Sequence, residues 1–84
     1  MQVNELRDKL LRVVADTLDV PVADVSIDSS CNDLKPWDSV GHIMVMLAVE
    51  QGFGVKFSVS QIEAARSVRE LESGLLSLLE SRAG

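Results

Sequence analysis

The chain has no tyrosine, one cysteine, two prolines and only three aromatic residues, Trp37, Phe53 and Phe57. A single cysteine, Cys31, excludes an intrachain disulfide framework and a thiolate metal cluster, and it points to a reducing, cytoplasmic setting. So few aromatics leave the core to Val, Leu, Ile and Met, which suits helices packed on helices better than a β-sandwich. Basic charge is short as well. Eight Lys and Arg face 13 Asp and Glu, for a formal net charge of −5. Nucleic acid is thereby excluded as a partner, because neutralising phosphates takes a basic patch; an acidic chain points instead to basic protein partners. No apolar run approaches the roughly 20 residues of a membrane span, so no membrane insertion is expected. Nor does the start read as a signal peptide, since Glu5, Arg7, Asp8 and Lys9 interrupt it. With 84 residues, the chain is expected to form one domain, 1–84, burying roughly 60% of its unfolded surface and leaving no room for a deep enclosed active site.

What is present is an apolar fraction of 46%, enough for a folded core, arranged with helical spacing. Val3, Leu6, Leu10, Val13 or Val14, and Leu18 recur every three or four residues and predict an amphipathic helix over 3–18, stopped by Pro21. From Asp19 to Trp37 no periodic segment appears, only turn and cap formers, so a long loop is expected. Val22, Val25, Ile27 and Leu34 are its candidate anchors. A second helix should start after Asp38 as N-cap and end at Gly52 as C-cap. Phe53 to Phe57 reads as a connector that plugs the core. Ser60 with Glu63, and Ser67 with Glu70, fit capping boxes that would open a short helix to about Arg66 and a last helix carrying Val68, Leu71, Leu75, Leu78 and Leu79.

The second helix has an unusual composition. From Ser39 to Val49 there is no charged residue, and eight of eleven are apolar. Two stripes coexist there, Val40, Ile43, Met44 and Leu47 on one side and His42, Val45, Met46 and Val49 on the other. A domain this small cannot bury such a helix on all sides, so one stripe should face a partner; periodicity does not say which.

Enzymatic readings are weak. Ser39 and His42 lie three apart on a helix, which superficially suggests nucleophile and base. However, Trp37-Asp38-Ser39-Val40-Gly41 lacks the first glycine of the G-x-S-x-G elbow, and a lone histidine on an apolar helix is more commonly a structural, hydrogen-bonded group. One His and one Cys do not make a zinc site, and the loop carboxylates miss the spacing of a calcium loop, so no metal is expected. Cys31 reads as a partly covered loop residue. What remains is Ser39, in the first turn of an apolar helix, where free N–H groups and the helix dipole favour a phosphate esterified to its hydroxyl.

Asp38-Ser39-Val40, followed by an apolar helix closing in Glu50-Gln51-Gly52-Phe53-Gly54-Val55, resembles the acyl carrier proteins. The tract Trp37-Asp38-Ser39-Val40-Gly41-His42 is close to a variant found in specialised bacterial carriers. The resemblance covers the whole chain and implies an all-α, four-helix bundle of three longer helices and one short one, with a long loop between helices one and two. It implies that Ser39 receives 4′-phosphopantetheine from coenzyme A through a magnesium-dependent phosphopantetheinyl transferase. The arm would hold acyl groups as thioesters for acyl-loading and acyl-processing enzymes, and the carrier, a cytoplasmic monomer, would catalyse nothing itself. Asp38 would cap the helix and face the transferase. Val40, Met44 and Leu47, with Glu50 closing the patch, would bind partners, and His42, Val45, Met46 and Val49 would face inward. Gly41 and Met44 stand where many fatty acid synthesis carriers have acidic residues. That departure implies fewer salt bridges to partners and a dedicated pathway, such as a polyketide, lipid-modification or secondary-metabolite route. The Gly-Gly-x-Ser context of a peptidyl carrier is absent. An unmodified helical interaction module is the alternative, and a Ser-His hydrolase a remote third.

The charge has a location. Asp16, Asp19, Asp24, Asp28, Asp33 and Asp38 against Lys35 alone account for the whole −5, since the other seven acids balance seven bases. An acidic approach to Ser39 is therefore expected to steer basic partners, with an uncharged helix beyond it.

Overall fold

The computed structural model describes residues 3–83, with side chains from residue 4 to residue 80. Among them are three long helices, α1 (Val3–Leu18), α2 (Ser39–Phe53) and α4 (Val68–Ala83), and one short helix, α3 (Val59–Ala64). A single 3-10 turn, Val22–Asp24, interrupts the first connection. This is the expected four-helix order.

The apolar stripes meet as their spacing requires. Leu6, Leu10, Val14 and Leu18 of α1, Val45, Met46 and Val49 of α2, and Val68, Leu71 and Leu75 of α4 form one buried core. Val3, the first position of the expected α1 stripe, has its side chain outside the described range. Leu78 and Leu79 pack partly buried against the core edge. One ion pair ties α1 to α4. Arg7 donates from Nε and Nη2 to the Glu72 carboxylate at 2.7 and 2.9 Å. This forked hydrogen bond holds the Glu72 carboxyl below the usual carboxylate range against the opposing pull of burial, and it raises Arg7 in turn.

Four local expectations are corrected. Pro21 does not stop α1. Asp19 does, in a left-handed conformation (φ 56°), with Val20 N–H donating to Ala15 C=O and Asp19 N–H to Asp16 C=O, the paired bonds of a Schellman ending. Likewise α2 runs past Gly52 to Phe53. The left-handed residue is Gly54 (φ 67°), whose N–H, like that of Val55, reaches Glu50 C=O, while Lys9 Nζ caps the Gly52 carbonyl at 2.7 Å. The capping box of α3 is Ser58 with Gln61, bonded both ways, and the helix ends at Ala64, so Ser60 and Glu63 lie inside it. Val22 is exposed and anchors nothing; Val25 is buried, and Ile27 and Leu34 are partly buried.

The long loop is ordered because its backbone finds partners. Ser30 and Ser67 form an isolated antiparallel bridge, Cys31 N–H donates to Arg66 C=O, and the first N–H groups of α4, from Val68 and Arg69, donate to Ser29 and Ile27 C=O. Ser67 Oγ accepts from Glu70 N–H, as expected for the last helix. Phe57 and Val55 are buried beneath the connector. Loop and α4 therefore cap each other, which sets where the chain arrives at α2.

Candidate functional site

Ser39 is the first residue of α2, and a folded loop delivers it there. Asn32, in a left-handed conformation that asparagine tolerates (φ 79°), donates its N–H to Trp37 C=O at 2.8 Å, and Trp37 N–H returns to Leu34 C=O at 2.9 Å. Trp37 is fully buried. Asp38 is the N-cap as expected: its carboxylate accepts from Gly41 N–H at 2.8 Å and its carbonyl from His42 N–H at 2.8 Å. Ser39 is exposed, and among the described residues neither its hydroxyl nor the N–H groups of Ser39 and Val40 have a hydrogen-bond partner. A reachable, uncommitted hydroxyl beside free helix-end donors fits a phosphate-linked arm.

Gly41 corrects a sequence expectation. It is buried, and a Cβ there would lie 2.1 Å from Pro36 C=O. The residue is glycine because the loop backbone presses on the first turn of α2, not because a partner surface has shed an acid. Only Met44 remains as a surface departure of that kind.

His42 is 4% exposed and serves structure. Its Nδ1 lies 3.1 Å from Trp37 Nε1, and its Nε2 lies 2.7 Å from Ile62 C=O. The indole N–H can only donate, so Nδ1 is the acceptor and Nε2 carries the proton that goes to Ile62. Both nitrogens are committed, and none is left to activate Ser39. The Ser-His pairing is therefore excluded by geometry. Cys31 is half-covered and free, with Sγ 3.4 Å from Trp37 C=O and 3.4 Å from Arg66 Nη2.

The two stripes of α2 separate cleanly. Gly41, His42, Val45, Met46 and Val49 are buried. Val40, Ile43, Met44 and Leu47 are 68, 56, 53 and 52% exposed, a continuous apolar surface running from Ser39. The expected patch of Val40, Met44 and Leu47 is thus assembled, and Ile43 belongs to it. Glu50 differs in part: it is half-buried, and its Oε2 accepts from Phe57 N–H at 2.7 Å, fastening the connector after α2. Beyond Leu47 the stripe opens into a groove of about 610 Å³ whose walls include Val55, Lys56 and Leu78.

Among the loop acids, Asp28 pairs with Arg69 at 2.6 Å, Asp33 accepts from Ser30 N–H and Oγ, and Asp38 caps α2. Asp16, Asp19 and Asp24 are exposed, with no partner for their carboxylates among the described residues. The uncommitted loop charge therefore resides mainly with these three. No helix among the described residues is long and apolar enough to cross a membrane.

Two comparisons bear on this arrangement. A family model described as a phosphopantetheine attachment site matches residues 8–75. A protein of Petrotoga mobilis named "Acyl carrier protein" is 31% identical over 68 residues, covering 81% of this chain and 80% of its own.

Proposed function

The chain belongs to the acyl carrier protein family, a family of phosphopantetheine-bearing carriers and not catalysts, and from that premise we propose that Ser39 is the attachment residue. The observation that supports it is the free, exposed Ser39 hydroxyl at the capped start of α2. In the transfer, Ser39 Oγ forms a bond to the phosphorus nearer the pantetheine half of coenzyme A. The bridging P–O bond breaks, the adenosine bisphosphate half leaves, and the serine proton passes to a base of the transferase. Asp38 keeps the first turn in place and faces that transferase. When bound, the arm supplies a thiol that carries acyl groups as thioesters; the chain's own work is to present Ser39 and to dock partner enzymes.

Docking on α2 rests on Val40, Ile43, Met44 and Leu47, with Glu50 at the far rim. The only charged side chain on α2 is Glu50, and one of its oxygens is already committed. Partners are accordingly gripped by apolar contact, the flexible thioether of Met44 adapting to each, while free loop carboxylates speed the encounter. A docking helix whose only charged side chain is Glu50 supports service to a dedicated acyl-transfer pathway, of polyketide, lipid-modification or secondary-metabolite type, over housekeeping fatty acid synthesis. The single domain acts as a monomer in the cytoplasm.

Intact mass after incubation with coenzyme A, magnesium and a broad-specificity transferase tests the reading. Wild type should gain one phosphopantetheine and Ser39→Ala none, with its helical signal unchanged. No gain on wild type across several transferases would leave the unmodified interaction module.

A further inference from the structure

Trp37 and His42 bracket Ser39, two positions before it and three after, and their side chains close on each other. The indole N–H meets Nδ1 at 3.1 Å, and the rings stack with centroids 6.1 Å apart and planes 25° from parallel. This bond spans the serine. It fixes the chain that enters Ser39 to the turn that leaves it, and the same two stretches of backbone lie so close at Pro36 and Gly41 that a Cβ on Gly41 would meet Pro36 C=O. The second bond of His42, from Nε2 to Ile62 C=O, ties α2 to α3 and not to the chain that enters Ser39, and it satisfies a carbonyl near the end of α3.

Building on the proposed attachment at Ser39, we propose that Trp37 and His42 are positioning residues for the transfer of the arm: their mutual bond, and not the Ile62 bond, sets the direction from which the Ser39 hydroxyl meets the attacked phosphorus. Neither side chain touches the reacting atoms. Each acts through the backbone on either side of the serine. In-line displacement is sensitive to such placement, because an ångström of misalignment at the nucleophile costs on the order of tenfold to a hundredfold in rate.

The two bonds of His42 can be removed one at a time. Asn carries an acceptor where Nδ1 stands, so His42→Asn keeps the Trp37 bond and loses the Ile62 bond. Gln carries a donor where Nε2 stands, so His42→Gln does the reverse. Trp37→Phe removes the indole donor, together with part of a buried ring's volume, and leaves His42 on Ile62. Arm transfer from coenzyme A should stay within about threefold of wild type in His42→Asn and fall roughly tenfold or more in His42→Gln and Trp37→Phe. The loss should lie in kcat with KM little changed, since the docking surface is untouched. Circular dichroism at the assay temperature checks that equal fractions are folded. Trp37 is the sole tryptophan in a chain without tyrosine, so its emission reports the clamp directly. Emission should shift in His42→Gln and hold in His42→Asn. Equal loss in the Asn and Gln variants, or wild-type transfer in a folded His42→Gln whose emission has shifted, would overturn the proposal. If His42→Gln fails to fold, Trp37→Phe decides: wild-type transfer by it counts against the clamp, and a kcat loss supports it. A wild-type chain that gains no mass, by contrast, removes attachment at Ser39 itself.

Discussion

The two faces of α2 are nearly equal in hydrophobicity and opposite in circumstance. Met44 and Met46 are two residues apart, yet Met46 is buried in the core and Met44 is 53% exposed on an apolar strip with no cover. On the inner face each polar group is matched, His42 by Trp37 and Ile62, and Gly41 N–H by Asp38. On the outer face Val40, Ile43 and Leu47 stand in water. The contrast shows how a small domain can keep an apolar surface exposed. It commits one side of a helix so completely to packing and capping that the other can remain apolar without rotating inward.

That contrast can be broken most forcefully from inside. Met46→Ala should cost about 2–5 kcal/mol in chemical denaturation, whereas Met44→Ala should stay within about 0.5 kcal/mol. Similar losses for the two would show the faces are not distinct. Gly41→Ala should cost about 1–3 kcal/mol, because the added methyl must push Pro36 C=O aside and the backbone there has little room to yield. A neutral Gly41→Ala would mean the loop moves freely over α2.

Much of this was legible in the residues, and the failures share a cause. Helix α1 and the start of α2 followed from spacing and from Asp38. The ends did not. Pro21 and Gly52 are strong punctuation in sequence, but Asp19 and Gly54 were chosen by the backbone bonds that the left-handed turn allows. Likewise Ser60-x-x-Glu63 and Ser58-x-x-Gln61 overlap, and only burial of Val55 and Phe57 just before Ser58 fixes which serine lies outside the helix. Ser39 stood out in the sequence by its place in a motif, and the structure shows it exposed at the start of α2. Gly41 was misread, and His42 was read as an inward, structural residue without its partners, because the reasons lie in Pro36, Trp37 and Ile62, contacts that no periodicity encodes.

A milder perturbation separates the stability of the scaffold from that of the site. Glu72 has its pKa lowered by Arg7, so its stabilisation is present above the ordinary glutamate value of about 4.3 and is lost as pH falls below it. Thermal unfolding of Glu72→Gln should therefore lie below wild type at neutral pH and converge with it in acid, while the Trp37 emission of the folded state stays unchanged. Smallest of all should be the effect of the free carboxylates on α1 and the loop that follows it. Changing Asp16, Asp19 and Asp24 together to Asn should slow partner association at low salt by severalfold, with the difference vanishing at high salt and dissociation unaltered. A change confined to dissociation would place those carboxylates inside the contact.

The contact of Gly41 with Pro36 also bears on how such a chain can diversify. A turn closed this tightly removes one position from the choices open to such a chain, since any side chain at residue 41 requires the preceding loop to be rebuilt. On the docking surface proposed above, change is thereby channelled to Val40, Ile43, Met44 and Leu47, which are exposed and can vary without disturbing what lies beneath. On that proposal, clients would be switched by repainting one strip, with Ser39 and its bracket left as they are.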